Sequence, residues 1–310
     1  MDFELNPEQQ AVLEAVESLL AKHAGPQRAI ELAAAGGYDE SLDAALEESG
    51  FGELATAMGR LEAALLVEAV ARRAGVVAVA ARALALPAVS SSPVPGPVCL
   101  VAAGHAGPVR FAAHARTLLV LDGDEARRVD LPAGACRPVA SNFGYPMGRI
   151  PSELVAAGTS LGPGTGPALA DAWRLGLAAE ATGAMEAALE KTVAYLKDRR
   201  QFGKSIGSFQ AVQHRLAECA IQLEASRWLC REAAFHAGAS EAIATAAAFA
   251  LDAAGDVFAE THQLSGAIGF TREHDLHVWS MRLHALRQEL GGVAGHRRAL
   301  ADARWSGSAG

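Results

Sequence analysis

The densest chemistry in the chain lies in Tyr195-Leu-Lys-Asp-Arg-Arg-Gln-Phe-Gly-Lys-Ser-Ile-Gly-Ser-Phe-Gln210. Lys197, Arg199, Arg200 and Lys204 crowd one turn there, punctuated by Gly203 and Gly207. A compact basic corner between two helices can hold an anion, because guanidinium and ammonium groups make charge-assisted hydrogen bonds to oxyanions. Other candidates are weaker. His274, His277, His284 and His296 share one stretch, but His274-Asp-Leu-His277 lacks a further ligand set, so a structural role is expected rather than zinc. Gly162-Pro-Gly-Thr-Gly166 is glycine-rich but has no following lysine, and reads as part of a flexible linker over 159–167 rather than a phosphate loop. Cys99, Cys136, Cys219 and Cys230 show no CxxC spacing and read as reduced thiols of a cytoplasmic protein.

Helices must position the basic corner. Before it, Leu175, Ala178, Thr182, Met185, Leu189, Val193 and Leu196 recur at helical spacing; after it, Val212, Leu216, Cys219, Leu223, Ser226, Cys230 and Ala233 do the same. Two further helices are expected around 241–264 and 273–300, broken by Ser265-Gly-Ala-Ile-Gly269. Four long helices with short connections predict an antiparallel bundle over residues 161–310. The first 95 residues also read as helical. Asn6-Pro7-Glu8 is a helix start, Ser41 opens a short helix stopped at Gly50, and 61–86 reads as one longer helix. Ser90-Ser-Ser-Pro-Val-Pro-Gly-Pro97 cannot continue it and marks a boundary. Residues 96–160 then form short strand-like runs, 98–101, 109–111, 117–121 and 128–131, with Asp122-Gly123 as a hairpin turn. The predicted fold is mainly α: a helical N-terminal domain, a small central β-domain and a C-terminal four-helix bundle.

Composition agrees and excludes. The 310 residues are 51% hydrophobic and only 5% aromatic, with abundant alanine, which favours helices. A formal net charge of −8 argues against a nucleic-acid partner. No uncharged run of spanning length is expected, hence no membrane, and the acidic opening is unlike a signal peptide.

Arg199-Arg-Gln-Phe-Gly-Lys204, the following Phe209-Gln210 and Gln263-Leu-Ser-Gly-Ala-Ile-Gly-Phe270 together resemble the acyl-CoA dehydrogenase family. So do the domain order and the opening Phe3-Glu-Leu-Asn-Pro-Glu-Gln-Gln. The resemblance covers the whole chain, most strongly 170–285 and most weakly the β-domain. It implies FAD bound across a subunit interface. Arg199 matches the arginine that contacts the pyrophosphate, Gln201 and Phe202 the neighbouring positions, and Phe209 the position beside the adenosine half. Gln263 matches the glutamine that reaches the partner subunit's FAD, with Gly266 and Ala267 bringing backbone close. Ala267 stands where the family has a second glycine.

The family's reaction is α,β-dehydrogenation of an acyl-CoA thioester, for which the protein supplies a carboxylate base. Ungapped counting from Gln263 puts the usual base position on Leu290; Glu289 is one residue early and, on a continuous helix, would point about 100° away. In other members the base precedes an arginine on the first bundle helix; that arginine corresponds to Arg174, and Trp173 takes the base position. Asp171 and Glu180 are nearby, each with an ordinary reading as a helix N-terminal or surface acid. The catalytic residue is therefore unassigned. The β-domain is about half the family's usual length and has no tryptophan over 98–157. These departures favour one subunit of a heteromer, such as a heterotetramer with a second dehydrogenase-like chain that supplies the base, a pattern resembling enzymes of bacterial sterol side-chain breakdown. The alternatives are a homo-oligomeric dimer or tetramer with an unusual base, and a non-catalytic helical assembly protein that has lost FAD. The resemblance also implies an electron-transfer flavoprotein as acceptor, and a role in lipid metabolism.

Overall fold

Asn6 starts the first helix through its side chain: Oδ1 accepts from the Gln9 N–H at 2.9 Å, while Gln9 Oε1 accepts from the Asn6 N–H at 3.0 Å. This reciprocal cap opens α1 (Pro7–His23). The computed structural model describes residues 4–236 and 240–305, so Phe3 of the opening segment lies outside the described residues. Pro26 then starts α2 (Pro26–Ala35), a helix the periodicity did not suggest. α3 (Glu40–Glu48) begins one residue before Ser41, because the Asp39 carboxylate accepts from the Leu42 N–H and provides the cap. A short α4 (Leu54–Ala57) leads into α5 (Arg60–Arg72).

The single helix expected over 61–86 is interrupted. Ala74 adopts a left-handed φ of 59°, and the Gly75 N–H returns to the Val70 carbonyl at 2.9 Å, closing α5 in a Schellman-type turn. The chain resumes in a π-helical turn, Ala81–Ala85, and α6 (Leu86–Val89).

The β-region holds β1 (Val98–Ala102), β2 (Val109–Arg110), β3 (Thr117–Asp122), β4 (Glu125–Asp130), β5 (Arg137–Val139), β6 (Met147–Arg149), a short α7 (Ser152–Ala156) and β7 (Thr159–Pro163). Strand order is β1-β3-β4-β7 in one sheet and β2-β6-β5 in the other. β1 and β3 run parallel. The Asp122-Gly123 hairpin forms as expected, with Asp122 opposite Glu125 and Gly123 at φ 63°. β5 and β6 are too short to have left a pattern. The expected linker at 159–167 is instead β7, paired to β4, and Thr165 stitches it down: its Oγ1 accepts from the Ala126 N–H and donates to the Gly162 carbonyl.

The bundle comprises α8 (Thr165–Asp198), α9 (Gln210–Phe235), α10 (Ser240–Ser265), α11 (Leu276–Leu286) and α12 (Gly292–Trp305). Its last two helices replace the single one expected over 273–300. The break falls at Leu290, with φ 50°, followed by Gly291 and Gly292 at 83° and 68°. α8, about 51 Å long, is the central element and is buried almost all round from Leu169 to Leu189. At Gly183 a Cβ would lie 2.1 Å from the Glu68 carbonyl oxygen, so a glycine lets α5 approach α8 backbone to backbone. α10 is, by length and composition, apolar enough to cross a membrane, unlike the expectation above; its alanine-rich face is buried in the bundle. One large core joins the N-terminal helices to the bundle, and a smaller one, including Val101, Leu118, Val120 and Cys136, fills the β-region. All four cysteines are free and buried.

Candidate functional site

The basic corner folds as a two-stranded hairpin, β8 (Arg200–Gln201) against β9 (Lys204–Ser205), between α8 and α9. Its turn residues Phe202 and Gly203 both take positive φ, 54° and 80°, which matches the twist of a tight hairpin. The Ile206 N–H donates to the Arg199 carbonyl at 2.9 Å and anchors the hairpin to the end of α8. The side chains point outward. Phe202 is 91% exposed, packing edge-on to Phe209 at 6.2 Å, and the Lys204 ammonium lies 4.2 Å from the centre of the Phe209 ring. Arg199, Arg200 and Gln201 are exposed, and among the described residues their side chains make no hydrogen bond or ion pair.

Gln263, Gly266 and Ala267 lie on a different element, at the C-terminal end of α10 and the 3₁₀ turn Gly266–Phe270 after it. All three are exposed. Side chains tie this end of α10 to the hairpin's end of the bundle: Arg215 near the start of α9 pairs with Glu260 at 2.5 Å, Lys191 pairs with Asp275 at 3.1 Å, and Tyr195 packs on His274. His262, beside Gln263, is buried between Phe258 and Phe270 and shares a 2.9 Å hydrogen bond with Ser280. Burial keeps its basicity below the usual histidine range.

A cavity of about 820 Å³ opens between the β-region and the bundle, within the range of small-molecule sites. Leu100, Val109, Leu121, Val139 and Met147 form one wall; Met281, Ala285, Leu290 and Trp173 form the other. Glu289 is the one carboxylate among the described residues that line it. The sequence argument that Glu289 points away therefore fails: α11 ends at Leu286 and Glu289 opens the 3₁₀ turn Glu289–Gly291, so the rotation of a continuous α-helix does not apply, and the residue lines the cavity. Both its oxygens are engaged. Oε1 accepts from Arg110 Nε, and Oε2 accepts from Trp173 Nε1 at 2.5 Å. Arg110 forks on its other edge to Glu180, at 3.2 and 2.9 Å.

Glu180 is 4% exposed, not a surface acid. Burial raises its carboxyl above the ordinary range, opposed by Arg110, while the two carboxylates hold the Arg110 guanidinium firmly protonated. Arg110 and Arg282 also both approach the Tyr145 ring, at 4.9 and 4.8 Å from its centre. Burial pushes the Tyr145 hydroxyl up to about 12. Arg282 donates to the Ala74 and Gly75 carbonyls, holding the turn that ends α5. Asp171 is tied to Arg174 at 3.3 Å and to Ser240 at 2.5 Å. The histidine group assembles no metal site among the described residues. His277 caps the His274 carbonyl, and His296 shares a 3.2 Å hydrogen bond with the Glu289 carbonyl behind the cavity.

A family model described as "Acyl-CoA dehydrogenase, C-terminal domain" matches residues 169–303, from α8 into α12. Acyl-CoA dehydrogenase IpdE2 of Mycobacterium tuberculosis is 34% identical over 309 aligned residues, which cover 91% of this chain and 93% of that protein. The chain belongs to the acyl-CoA dehydrogenase family. It is thus a member of an oxidoreductase family active on lipid-derived thioesters. Acyl-CoA dehydrogenase FadE34 of the same organism is 37% identical over 159 residues, 49% of this chain and 22% of that one. Among solved structures, a variant of the Tcur3481–Tcur3483 steroid acyl-CoA dehydrogenase superposes with a TM-score of 0.80 at 25% identity, covering 98% of this chain and 99% of that one. The ChsE4–ChsE5 complex from Mycobacterium tuberculosis superposes with a TM-score of 0.78 over 100% of both chains at 20% identity, a likeness of fold.

Within this family frame, the outward hairpin and the α10 turn carry every residue expected at the cofactor. Glu180, Glu289 and Trp173 were each visible in the sequence, but not Arg110, which joins them into one cluster and whose only trace was an arginine inside the strand-like run 109–111.

Proposed function

We propose that this chain is one subunit of a heteromeric, FAD-dependent acyl-CoA dehydrogenase whose partner chain supplies the catalytic base. The observation that carries the reading is Glu289: it is the cavity's carboxylate, and its oxygens are taken by a guanidinium and an indole N–H. Proton abstraction needs a lone pair aimed at the substrate α-carbon. A carboxylate that would have to break two hydrogen bonds, one of them to a cation, is poorly suited to that. Two of the similar solved structures carry the names of two different chains, Tcur3481–Tcur3483 and the ChsE4–ChsE5 complex, which supports a paired subunit here.

FAD suits the exposed surface. Phe202 is a large aromatic left almost wholly in water, beside an Arg199 guanidinium without a partner among the described residues, as expected of a surface completed by a cofactor and a second chain. Arg199 and Gln201 would hold the diphosphate, Phe202 and Phe209 would pack on the cofactor, and Gln263 with the Gly266–Ala267 backbone would reach the cofactor of the neighbouring subunit. When bound, FAD supplies a hydride acceptor for the β-carbon of the acyl group. This chain's own contribution is to bind and orient: the hairpin presents its cations on one exposed surface, and the cavity walls exclude water from an apolar acyl group. The subunit would act in the cytoplasm, with an electron-transfer flavoprotein as acceptor.

Co-expression with a neighbouring dehydrogenase-like chain tests this. A yellow complex that bleaches on addition of an acyl-CoA, from components that are colourless apart, is the expected result. A yellow protein that bleaches with this chain alone would favour the homo-oligomeric enzyme. A protein that stays colourless with every partner would point to an assembly role without flavin.

A further inference from the structure

The turn Gly266–Phe270 rests on a largely apolar seat with an imidazole in it. His262, one helical turn earlier on α10, is 5% exposed. Its Nε2 shares the 2.9 Å hydrogen bond with Ser280 of α11, and its Nδ1 is buried without a partner. Phe258 covers the ring at 4.3 Å, and Phe270, the last residue of the turn, covers it at 5.0 Å. The turn folds back closely here: a Cβ on Gly269 would lie 2.9 Å from the Ser265 Cβ and 3.3 Å from the His262 carbonyl oxygen. Phe258 is half-buried and packs on His284 of α11 at 4.1 Å, and Ser280 is fully buried, but Phe270 is 75% exposed. The cover most easily moved off His262 is therefore the turn.

The seat suits a neutral ring. An imidazolium carries N–H donors on both nitrogens, and the one on Nδ1 would find no acceptor. The two phenyl rings attract a cation weakly and do not replace its lost hydration. The charged neighbours give no help. His284 is the one that acts on His262, with the same sign when protonated, and Arg287 lies beyond it. Glu260 on α10 is drawn to Arg215 of α9, and Arg272 after the turn donates to Asn142. Burial and His284 accordingly hold His262 below the usual histidine range. Once the turn lifts away, the ring meets water and titrates near its ordinary value of about 6.5. Below that value the open form binds more protons, so falling pH favours opening.

We infer that His262 is a pH-sensitive latch for the Gly266–Phe270 turn, closed over the neutral imidazole and released when the ring takes up a proton. The latch is a property of this chain alone. Its consequence for flavin rests on the dehydrogenase reading above, in which Gly266 and Ala267 bring backbone to the neighbouring subunit's cofactor: an open turn then loosens the cofactor as pH falls.

Amide hydrogen exchange on the full chain, read by mass spectrometry and corrected for the intrinsic effect of pH on exchange, tests the latch. Peptides covering 266–271 are compared at about pH 7.5 and about pH 5, with peptides of α8 as the control. In the wild type the protection of the turn is expected to fall roughly tenfold or more at the lower pH, while α8 keeps its protection. His262→Gln, which takes up no proton in this range, should protect the turn nearly equally at both, and His284→Gln should keep the fall. Unchanged wild-type protection overturns the latch. So does an equal fall in His262→Gln, or a fall that disappears in His284→Gln. A fall shared by α8 overturns it as well, because the whole chain is then opening. Flavin release from the co-expressed complex is measured separately at the same two pH values and should be faster at the lower. Release that ignores pH, beside a turn that opens, would remove the turn from the cofactor and leave the latch standing.

Discussion

Glu289 shows how the end of a helix changes what a residue can do. Counted along a continuous helix it would point away from the expected base position; with α11 ended at Leu286 it sits in a 3₁₀ turn and lines the cavity, where Arg110 and Trp173 hold it. The Gly291-Gly292 pair was the visible warning that the helix would not continue, but a left-handed leucine cannot be foreseen from residue type. Glu289→Gln keeps the shape and keeps an acceptor for one donor. In the co-expressed complex its turnover is expected within about twofold of wild type, as the proposal of a partner-supplied base requires; a thousandfold loss in single-turnover flavin reduction would make Glu289 the base. Arg110 is the more sensitive residue for stability. Its side chain and that of Glu180 are 10% and 6% exposed, and removing one member of such a pair strands a buried charge. Arg110→Met should destabilise by about 3–5 kcal/mol in denaturant unfolding, and Arg110→Met with Glu180→Leu should recover most of that. On the outer surface, Arg199→Ala should weaken FAD retention by about 1.5–3 kcal/mol, roughly ten- to a hundredfold in a flavin-release assay, with no change in melting temperature. Undiminished retention would remove Arg199 from the cofactor.

At the scale of elements, what was legible in the sequence was periodicity, and what was lost was its interruption. The faces of α8 and α9 were readable because long helices repeat their pattern many times. The breaks at Ala74-Gly75 and Leu290-Gly291 were read through, since apolar residues continue at compatible spacing on both sides. β7 reads as a linker because of its glycine and proline; its pairing with β4, reinforced by the Thr165 contact to Ala126, is tertiary and has no local signature. The basic corner needed no tertiary information, since its turn and charges lie within one short stretch, whereas the buried cluster joins residues from β2, α8 and the α11–α12 turn. The contact between α5 and α8 is a further case. Gly183 sits in the most buried part of α8, and a methyl there would overlap the Glu68 carbonyl. Gly183→Ala must push the helices apart, at a cost of about 1–3 kcal/mol. The expected result is a melting temperature several degrees lower with the helical circular dichroism intact. An unchanged melting temperature would mean that α5 and α8 have slack at this crossing.

The whole molecule is joined by buried side chains whose protonation is linked to folding. Burial lowers His262, His274 and His284 below the ordinary histidine range, and His296 to about 4. His296 is 0% exposed, lies near Arg174, and supports the Glu289 carbonyl at the turn that closes the cavity. The unfolded chain protonates this imidazole near 6.5, the folded chain only near 4, so between those values the unfolded state binds more protons. The contribution of His296 is therefore complete above pH 6.5 and is lost as pH falls towards 4, by about 3 kcal/mol over the window. Glu180, Asp43 and Glu186 act in the opposite sense: burial raises each, so protonation favours the folded state as pH falls. The net acid profile mixes the two, but a variant isolates one group. His296→Gln cannot gain the proton and can still donate to the Glu289 carbonyl. Plotted from pH 7.5 to 4, its unfolding free energy should fall less steeply than that of the wild type, with the curves diverging below about 6.5. Parallel curves would show that His296 titrates alike in both states. That would also loosen the turn at Leu290, because a histidine free to take up a proton there is not held dry behind the cavity.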